Sequence, residues 1–196
     1  MSTHDPQTDR LILRRWRESD LAPFAHMNAD PRVMQYYPST LTPVETRLMI
    51  ERIQAHFALR NFGLWAAELR DTGDFVGYIG LNVPNFRLPT APHPLVNVEI
   101  GWRLAHDHWG KGLATEGASA VLHYAFTHLK LAEVISFTVP GNLRSRRVME
   151  KIGMTHNPAD DFDHPRLPTN HRLSRHVLYR KAAVSPQLSA PSSVPA

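Results

Sequence analysis

Residues 98–104 (VEIGWRL) and 109–116 (WGKGLATE) decide how this chain is interpreted. In the first segment apolar side chains alternate with other residues, a pattern typical of a β-strand. The second segment places two glycines directly before an apolar repeat with a spacing of three to four residues, which predicts the start of a helix. Glycines permit a sharp turn, and a helix N-terminus offers unpaired N–H groups with about half a positive elementary charge. The two segments together therefore predict a binding site for an anion such as a pyrophosphate.

Two common phosphate-binding loops do not fit this segment. A Walker A loop has a glycine ahead of its Gly-Lys pair and a Ser or Thr directly after the lysine. Here Ala105 lies six residues before Lys111, and Gly112 follows the lysine. A dinucleotide-binding fingerprint needs a third glycine, but Thr115 stands in that place, and the segment follows the fourth expected strand rather than the first.

The remaining segments predict an α/β fold with a mixed sheet. Strands are expected at residues 11–14, 64–69, 75–83, 96–104, 134–139 and 174–180. Residues 71–74 (DTGD) form a turn, so the second and third strands are expected to form a hairpin. The helix after residue 112 would then cross over to a strand that runs parallel to the fourth.

Four helices are expected. One begins at Ser19 as the N-cap and ends at residues 30–31, and the third and fourth cover residues 113–129 and 141–153. The second has the clearest start, because residues 42–45 (TPVE) combine an N-cap, a proline at N1 and a glutamate at N3 in a capping box. Its apolar stripe is expected to consist of Val44, Leu48, Ile53 and Phe57, with Gly63 as the stop signal.

The composition is that of a single folded domain. The chain has 196 residues, of which 42% are hydrophobic and 20% are charged. Cysteine is absent, which excludes disulfides and a cysteine nucleophile. The net charge of +4 favours partners that carry phosphate, although it also serves solubility. The basic residues are scattered and not interleaved with aromatic ones, so a nucleic-acid partner is not expected.

The domain is expected to cover residues 8–181. Residues 1–7 are expected to be flexible, and residues 182–196, rich in Pro, Ser and Ala without periodicity, are expected to form a disordered tail. The start of the chain lacks the apolar segment of a signal peptide, and no apolar run approaches the ~20 residues that span a bilayer. We therefore expect a cytoplasmic protein without membrane contact, as a monomer or homodimer.

Two motifs resemble those of the GNAT (GCN5-related) N-acetyltransferase superfamily. The first is its acetyl-CoA motif, Q/R-x-x-G-x-G/A, with Trp109 in the first place, Gly112 in the fourth and Ala114 in the sixth. The second is residues 142–154 (NLRSRRVMEKIGM), and residues 8–14 (TDRLILR) also match in style. Both are similar to the branch that includes the ribosomal-protein-alanine N-acetyltransferases. Trp109 departs from the usual Gln or Arg.

The resemblance implies a GNAT-like acyl-CoA N-acyltransferase fold in which the fourth and fifth strands splay apart around acetyl-CoA. It implies that Trp102, Arg103 and Leu104 bind the pantetheine arm through their backbone. The residues implied to hold the pyrophosphate are Trp109, Gly110, Lys111, Gly112, Leu113, Ala114 and Thr115, and those on the pantetheine or adenosine side are Asn142 and Ser145.

Glu99 is the candidate general base, because an amine must lose a proton before it attacks a thioester. Glu99 alternates out of phase with Ile100 and Trp102, so its side chain is expected on the opposite face of the sheet, where burial would raise its pKa. The alternative is a structural carboxylate paired with an arginine. Ser145 is either a proton donor to the leaving thiolate or only a contact residue, and Asn142 also fits a helix N-cap.

The acceptor side has weaker signals. Tyr36 and Tyr37 either line the acceptor pocket or pack in the interior. Residues 160–165 (DDFDHP) carry three carboxylates, so Asp163 would attract a cationic amine and Phe162 would cover its apolar part, unless this is an ordinary acidic surface loop. His106 and His108 have the spacing of two metal ligands but lack a third, so no metal is expected.

These observations predict an enzyme that transfers an acetyl group from acetyl-CoA directly to a primary amine, either a protein N-terminus or a small amine. The alternative is a non-catalytic acyl-CoA-binding or sensing module with the same fold.

Overall fold

A computed structural model of the chain describes residues 5–88 and 97–183. Within these ranges the strands are β1 (Leu11–Arg14), β2 (Leu64–Leu69), β3 (Phe75–Asn82), β4 (Glu99–Leu104), β5 (Glu133–Thr138), β6 (Thr155–His156), β7 (Phe162–Asp163) and β8 (Arg175–Ala182). The α-helices are α1 (Leu21–Ala29), α2 (Pro43–Arg60), α3 (Leu113–Thr127) and α4 (Leu143–Lys151).

The strands form a mixed sheet in the order β1-β2-β3-β4-β5-β8-β6, with β7 paired to β8. Strands β4 and β5 are parallel, and the other described pairs are antiparallel. Helix α3 makes the crossover between the two parallel strands. The predicted α/β class and mixed sheet are confirmed.

Strands β4 and β5 separate soon after they meet. Their register contains one residue pair, Glu99 with Ile135. Beyond it the Ser136 hydroxyl donates a 2.9 Å hydrogen bond to the carbonyl oxygen of Ile100, in place of a backbone donor. The sheet therefore opens toward the carboxyl end of β4, as the resemblance implied.

Helix α3 packs on the sheet as its periodicity predicted. It buries an apolar face that consists of Leu113, Gly117, Ala118, Val121, Leu122, Tyr124 and Ala125. A Cβ atom at Gly117 would collide with the Ile79 side chain, so the absence of a side chain there allows the helix to approach β3 closely.

The capping box of α2 is present, and the predicted apolar stripe is confirmed at Ile53 and Phe57 but wrong at Val44 and Leu48. The Thr42 hydroxyl accepts a hydrogen bond from the Glu45 N–H (3.2 Å), and the Glu45 carboxylate accepts one from the Thr42 N–H (2.8 Å). The buried face consists of Thr46, Ile50, Ile53 and Phe57, whereas Val44 and Leu48 are 69% and 47% exposed. A buried threonine sets the phase of the helix, which a search for apolar residues alone overlooks. The helix ends before Asn61, which adopts a left-handed conformation (φ +61°), and not at Gly63.

Ser19 is not the N-cap of α1. Residues 18–20 form a short 3-10 turn, and the helix begins at Leu21. The turn is held by Asp20, whose carboxylate accepts from the Arg17 N–H (2.8 Å) and from two nitrogens of the buried Arg14 guanidinium (2.7 and 2.8 Å). This ion pair, and not a serine cap, positions the start of the helix.

The ends of the domain extend beyond their predicted limits. Asp5 accepts a 3.1 Å hydrogen bond from the Trp65 indole, and Gln7 forms an isolated bridge with Ile12, so residues 5–7 contact the sheet. Strand β8 includes Ala182, the first residue of the expected tail. Strands β6 and β7 were not predicted, because two residues show no periodicity. The remaining tail, from residue 184, and residue 96 of the expected fourth strand lie outside the described residues.

In the part of the chain that the structure describes, no helix combines the length and apolar character that crossing a membrane requires.

Candidate active site

A cavity of about 480 Å³ lies where β4 leaves β5. Its walls are the end of β4, residues 33–37, the turn at residues 108–115, and one face of α4. It brings together most of the residues that the sequence singled out: Tyr36, Trp102, Arg103, Leu104, Trp109, Gly110, Gly112, Leu113, Ala114, Thr115, Asn142 and Ser145.

The glycine-rich turn has the backbone that an anion site requires. Gly110 and Gly112 have φ values of +73° and +80°, a region that residues with a side chain rarely adopt. Gly112 is the N-cap residue of α3 and has no side chain to cap the helix. The first N–H groups of α3 therefore remain available to a negatively charged ligand, which the helix dipole also favours.

Trp109 connects this turn to two neighbouring elements. Its indole nitrogen donates a 2.8 Å hydrogen bond to the carbonyl oxygen of Leu104, at the end of β4. The Arg144 guanidinium of α4 lies 4.8 Å from the centre of the Trp109 ring, within cation–π distance. The tryptophan thus bridges strand, turn and helix around the cavity.

The backbone of β4 presents alternate residues to the gap. The carbonyl oxygens of Val98 and Ile100 accept hydrogen bonds from β5, from the Ile135 N–H and the Ser136 hydroxyl, both at 2.9 Å. By the alternation of a strand, the N–H and C=O of Trp102 face the same side, where β5 has moved away.

The implied backbone role of Arg103 is corrected by the same alternation. A Cβ atom built on Gly77 of β3 would collide with the Arg103 carbonyl oxygen, so this carbonyl faces β3 and not the gap. Arg103 lines the cavity, and its guanidinium is held by Asn28 and two tyrosines. Its Nη1 donates a 2.7 Å hydrogen bond to the Asn28 side chain, and its guanidinium carbon lies 3.9 Å from the Tyr37 ring centre and 5.4 Å from that of Tyr78.

Glu99 lies at the closed end of the gap, opposite Asn82 of β3 and Ile135 of β5. Burial raises the pKa of its carboxyl to about 8, against the opposing effect of a hydrogen bond with Asn82. Glu99, Gly101 and Arg103 share one face of β4 by strand alternation. Glu99 does not itself line the cavity. The pKa moves in the direction that the sequence analysis predicted.

Asn142 and Ser145 form the start of α4. The Asn142 side chain accepts a 3.3 Å hydrogen bond from the Ser145 N–H and donates one of 2.9 Å to the Thr138 hydroxyl. The predicted N-cap role is therefore present, and both residues also line the cavity. The Tyr36 hydroxyl donates a 2.9 Å hydrogen bond to the carbonyl of Gly141, which ties residues 33–37 to the same helix start.

Lys111 is not part of the cavity lining, although the resemblance implied a role with the pyrophosphate. It lies on the other side of the turn, where its carbonyl oxygen accepts a 2.9 Å hydrogen bond from Arg10. The change of direction at Gly110 and Gly112 places the lysine away from their shared cavity.

The acidic loop at residues 160–163 does not have the predicted arrangement. Phe162 is 2% exposed and packs with Leu88, Ile135 and Leu178, so it does not cover an entrance. Asp163 lies outside the cavity lining and forms an ion pair with Arg175 (3.6 Å).

The other two carboxylates of this loop are also paired. Asp160 binds Arg180 (2.8 Å), and Asp161 contacts His156 (2.7 Å). Arg175 and Arg180 of β8 thus offset two of the three negative charges that the composition of the loop suggested.

Basic residues of α4 add positive charge to the cavity. Arg144, Arg147 and Lys151 line it, and Lys151 is a residue that the sequence analysis did not single out. Their spacing of three and four residues places them on one helix face. Arg146 lies off that face and contacts Tyr179 (3.3 Å). Further lining residues are Val33, Gln35, Tyr37, His108, Leu143 and Val148.

The histidines form no metal site in the described ranges, where no group of three or more His, Asp or Glu side chains is placed to hold an ion. His106 interacts instead with its neighbour Asp107 (3.4 Å) and with the ring of Trp109.

The mixed sheet, whose central parallel strands separate beside a glycine-rich helix start, has the arrangement that the resemblance implied for an acyl-CoA N-acyltransferase fold. The Acetyltransferase (GNAT) domain family matches residues 10–155. This chain belongs to the GNAT family and is an acyltransferase.

Two relatives illustrate the range of the family. The uncharacterised protein YkkB of Bacillus subtilis is 36% identical over 148 residues, which cover 75% of this chain and 83% of YkkB. The FsC-acetyl coenzyme A-N(2)-transacetylase of Aspergillus fumigatus is 35% identical over 156 residues, which cover 70% of this chain and 62% of that protein.

Solved structures show the same fold. An acetyltransferase from Agrobacterium tumefaciens is 28% identical, with a TM-score of 0.70 over 89% of this chain and 92% of that one. RimL, a ribosomal L7/L12 alpha-N-protein acetyltransferase solved with coenzyme A, is 13% identical, with a TM-score of 0.71 over 91% and 97% of the two chains. The predicted fold and the resemblance to the ribosomal branch are confirmed at the level of family and fold.

Proposed function

We propose that this protein transfers the acetyl group of acetyl-CoA to a primary amine, and that the reaction takes place in the cavity beside β4. The observation that carries the proposal is the cavity itself. It joins the open edge of a strand, a helix N-terminus behind two left-handed glycines, and three basic side chains of α4.

Each part of acetyl-CoA has a chemically matched wall. The pyrophosphate fits the turn at residues 110–115, because free N–H groups and the dipole of α3 favour negative charge. The N–H and C=O of Trp102 face the gap and suit the amides of the pantetheine arm, which would bond as an added strand does. Arg144, Arg147 and Lys151 suit the remaining phosphate charge.

The reaction we propose is direct transfer within a ternary complex. The neutral amine nitrogen attacks the thioester carbon, and the carbonyl oxygen gains negative charge. The carbon–sulfur bond then breaks, the nitrogen loses a proton to form the amide, and the leaving thiolate takes up a proton to give free CoA. Backbone N–H groups of β4 at the gap would stabilise the oxygen. The chain contains no cysteine, so no acetyl-cysteine forms.

Glu99 is proposed to accept the proton that the ammonium group loses, directly or through water. Burial raises the pKa of this carboxyl to about 8, which brings it close to the pKa of an amine. Near neutral pH the carboxylate is therefore a stronger proton acceptor than an ordinary one. Ser145 lies in the first turn of α4 beside the cavity, where its hydroxyl could protonate the thiolate or contact the cofactor.

The test separates binding from chemistry. Calorimetry with acetyl-CoA measures binding, and release of free CoA measures transfer to a panel of amines that includes peptide N-termini and small amines. Mass spectrometry of the products locates the acetyl group. Binding followed by transfer supports the proposal, binding without transfer to any amine indicates a non-catalytic acyl-CoA-binding module, and no binding overturns both.

A further inference from the structure

Arg103 is a buried cation without a carboxylate partner in residues 5–88 and 97–183. The residue is 7% exposed, and its hydrogen-bond partners among the described side chains are uncharged: Asn28, Tyr37 and Tyr78. Its Nε has no hydrogen-bond partner in those ranges. The surrounding Tyr78 is neutral, because burial raises the pKa of its phenol. A buried charge without a counter-ion is unfavourable, so this guanidinium is suited to an anion that arrives from outside.

The cavity that Arg103 lines contains no aspartate or glutamate among its described lining residues. Its charged side chains are Arg103 on one wall and Arg144, Arg147 and Lys151 on another. The latter three lie on α4, near the turn to which the proposed function assigns the phosphates of CoA. Arg103 instead contacts Tyr37, on the wall formed by residues 33–37, and the buried Asn28 behind it. The cofactor therefore leaves the charge of Arg103 unmatched.

Gly101 leaves the strand face between Arg103 and the proposed base without a side chain. Glu99, Gly101 and Arg103 share one face of β4, with Gly101 in the middle. A Cβ atom built on Gly101 would meet no other atom of residues 5–88 and 97–183 within 4 Å. An amine substrate beside Gly101 would thus have the Glu99 carboxylate toward one end of the strand and the Arg103 guanidinium toward the other.

We propose that the acceptor is an amine that also carries a carboxylate, and that Arg103 binds this carboxylate while the amine faces Glu99. This inference rests on the proposed function and adds the substrate class. The carboxylate comes either from a small amino acid or from an acidic side chain near a peptide N-terminus. A polycationic amine is disfavoured, because it would place positive charge against Arg103 without a carboxylate to balance it.

The test compares acceptors that differ in one charge. Each pair consists of an amine that carries a carboxylate and the same compound with a carboxamide in its place. Three classes are compared: α-amino acids, straight-chain ω-amino acids with increasing separation of amine and carboxylate, and peptides with Asp or Asn as second residue. We expect the wild-type kcat/KM to be at least ten times higher for the carboxylate member of the preferred pair. A preference seen with free amino acids identifies a small amino acid as the source of the carboxylate. A preference seen only with peptides identifies an acidic side chain near the N-terminus.

Variants assign this preference to Arg103. Arg103→Met should abolish it by raising KM for the carboxylate member while the carboxamide is little affected. Arg52→Met removes an exposed arginine of α2 outside the cavity and should retain the preference. If Arg103→Met does not fold, Arg103→Lys serves instead, since it keeps the charge in a shorter side chain and should weaken the preference without affecting the carboxamide.

Three results would overturn the inference. Equal rates for both members in the wild type, with transfer intact, would refute the carboxylate and leave the proposed function standing. A preference that survives in Arg103→Met would make Arg103 a structural residue. Acetyl-CoA binding without transfer to any amine would remove the proposed function and this inference with it.

Discussion

The indole nitrogen of Trp109 donates a 2.8 Å hydrogen bond to the carbonyl oxygen of Leu104. This bond spans the change of direction from β4 to the glycine-rich turn. It occupies the last carbonyl of β4 and fixes the position from which the turn begins. A tryptophan at the place where the superfamily often has Gln or Arg therefore has a definite structural role here.

Replacing Trp109 by Phe tests this role. The variant keeps a ring under Arg144 but loses the hydrogen bond, which is worth about 1 kcal/mol, so we expect acetyl-CoA affinity to fall about fivefold by calorimetry. Trp16→Phe is the matched control, because the Trp16 indole donates a similar bond (2.7 Å) to Leu64 away from the cavity. It should lower the melting temperature and leave the affinity unchanged. Equal affinities for the two variants would show that the turn does not depend on Trp109.

Gly112→Asp should weaken acetyl-CoA binding by more than tenfold, over ~1.4 kcal/mol, because it adds a side chain and a negative charge at the proposed pyrophosphate site. The left-handed φ of +80° also makes any side chain there unfavourable. Gly73→Asp controls for this strain, since Gly73 has φ +76° and lies in the turn between β2 and β3. Both variants should lose similar stability in thermal unfolding. Unchanged affinity in a folded Gly112→Asp protein would place the cofactor elsewhere.

Glu99→Gln should lower kcat by about two to four orders of magnitude while acetyl-CoA affinity stays within a factor of two, since it removes a proton acceptor and no cofactor contact. With the pKa of Glu99 raised to about 8, the base form increases as the pH rises. The wild-type kcat/KM should therefore rise with pH up to about pH 8. The variant, measured with the same acceptor, should lack the part of this rise that comes from the ionisation of Glu99. Identical pH profiles would return Glu99 to a structural role.

The same pKa has a consequence for stability. The carboxyl has an ordinary pKa of 4.5, and burial raises it to about 8 in the folded protein. The folded state then binds the proton more tightly, so the contribution of Glu99 to stability is greatest below pH 4.5 and is lost as the pH rises toward 8. The melting temperatures of Glu99→Gln and wild type should be most similar at low pH. Toward pH 8 the variant should become more stable relative to wild type. Parallel melting-temperature curves across this range would contradict the raised pKa.

Asn142→Ala should cost about 1 kcal/mol of unfolding free energy, because it removes the N-cap of α4. Asn142→Asp keeps an acceptor for the Ser145 N–H and should retain most of the stability. Ser145→Ala retains that backbone bond, so a fall in its kcat or in its acetyl-CoA affinity would report the hydroxyl alone. Full activity and affinity in Ser145→Ala would exclude both proposed roles of the serine.

The local elements could be predicted from sequence because their causes lie within a few residues. The capping box of α2 depends on Thr42 and Glu45, three residues apart, and the buried face of α3 follows from a repeat of three to four. The glycine-rich turn is equally local, since it needs two glycines and the first N–H groups of the following helix. These features also carry the family resemblance, so the fold class and the position of the glycine-rich turn were accessible before the structure.

The acceptor side was decided by contacts between distant parts of the chain. Asn28 and Arg103 meet across 75 residues, and Tyr36 and Gly141 across 105 residues. The acidic loop looked functional by composition, but β8 supplies Arg175 and Arg180 as partners and the core takes Phe162. No periodicity encodes such pairs. The sequence by itself determined the four helices, the six longer strands and the glycine-rich turn, because short-range hydrogen bonds and apolar spacing specify them. Only the tertiary structure decided which charges are paired and which, like that of Arg103, have no carboxylate partner in the described residues.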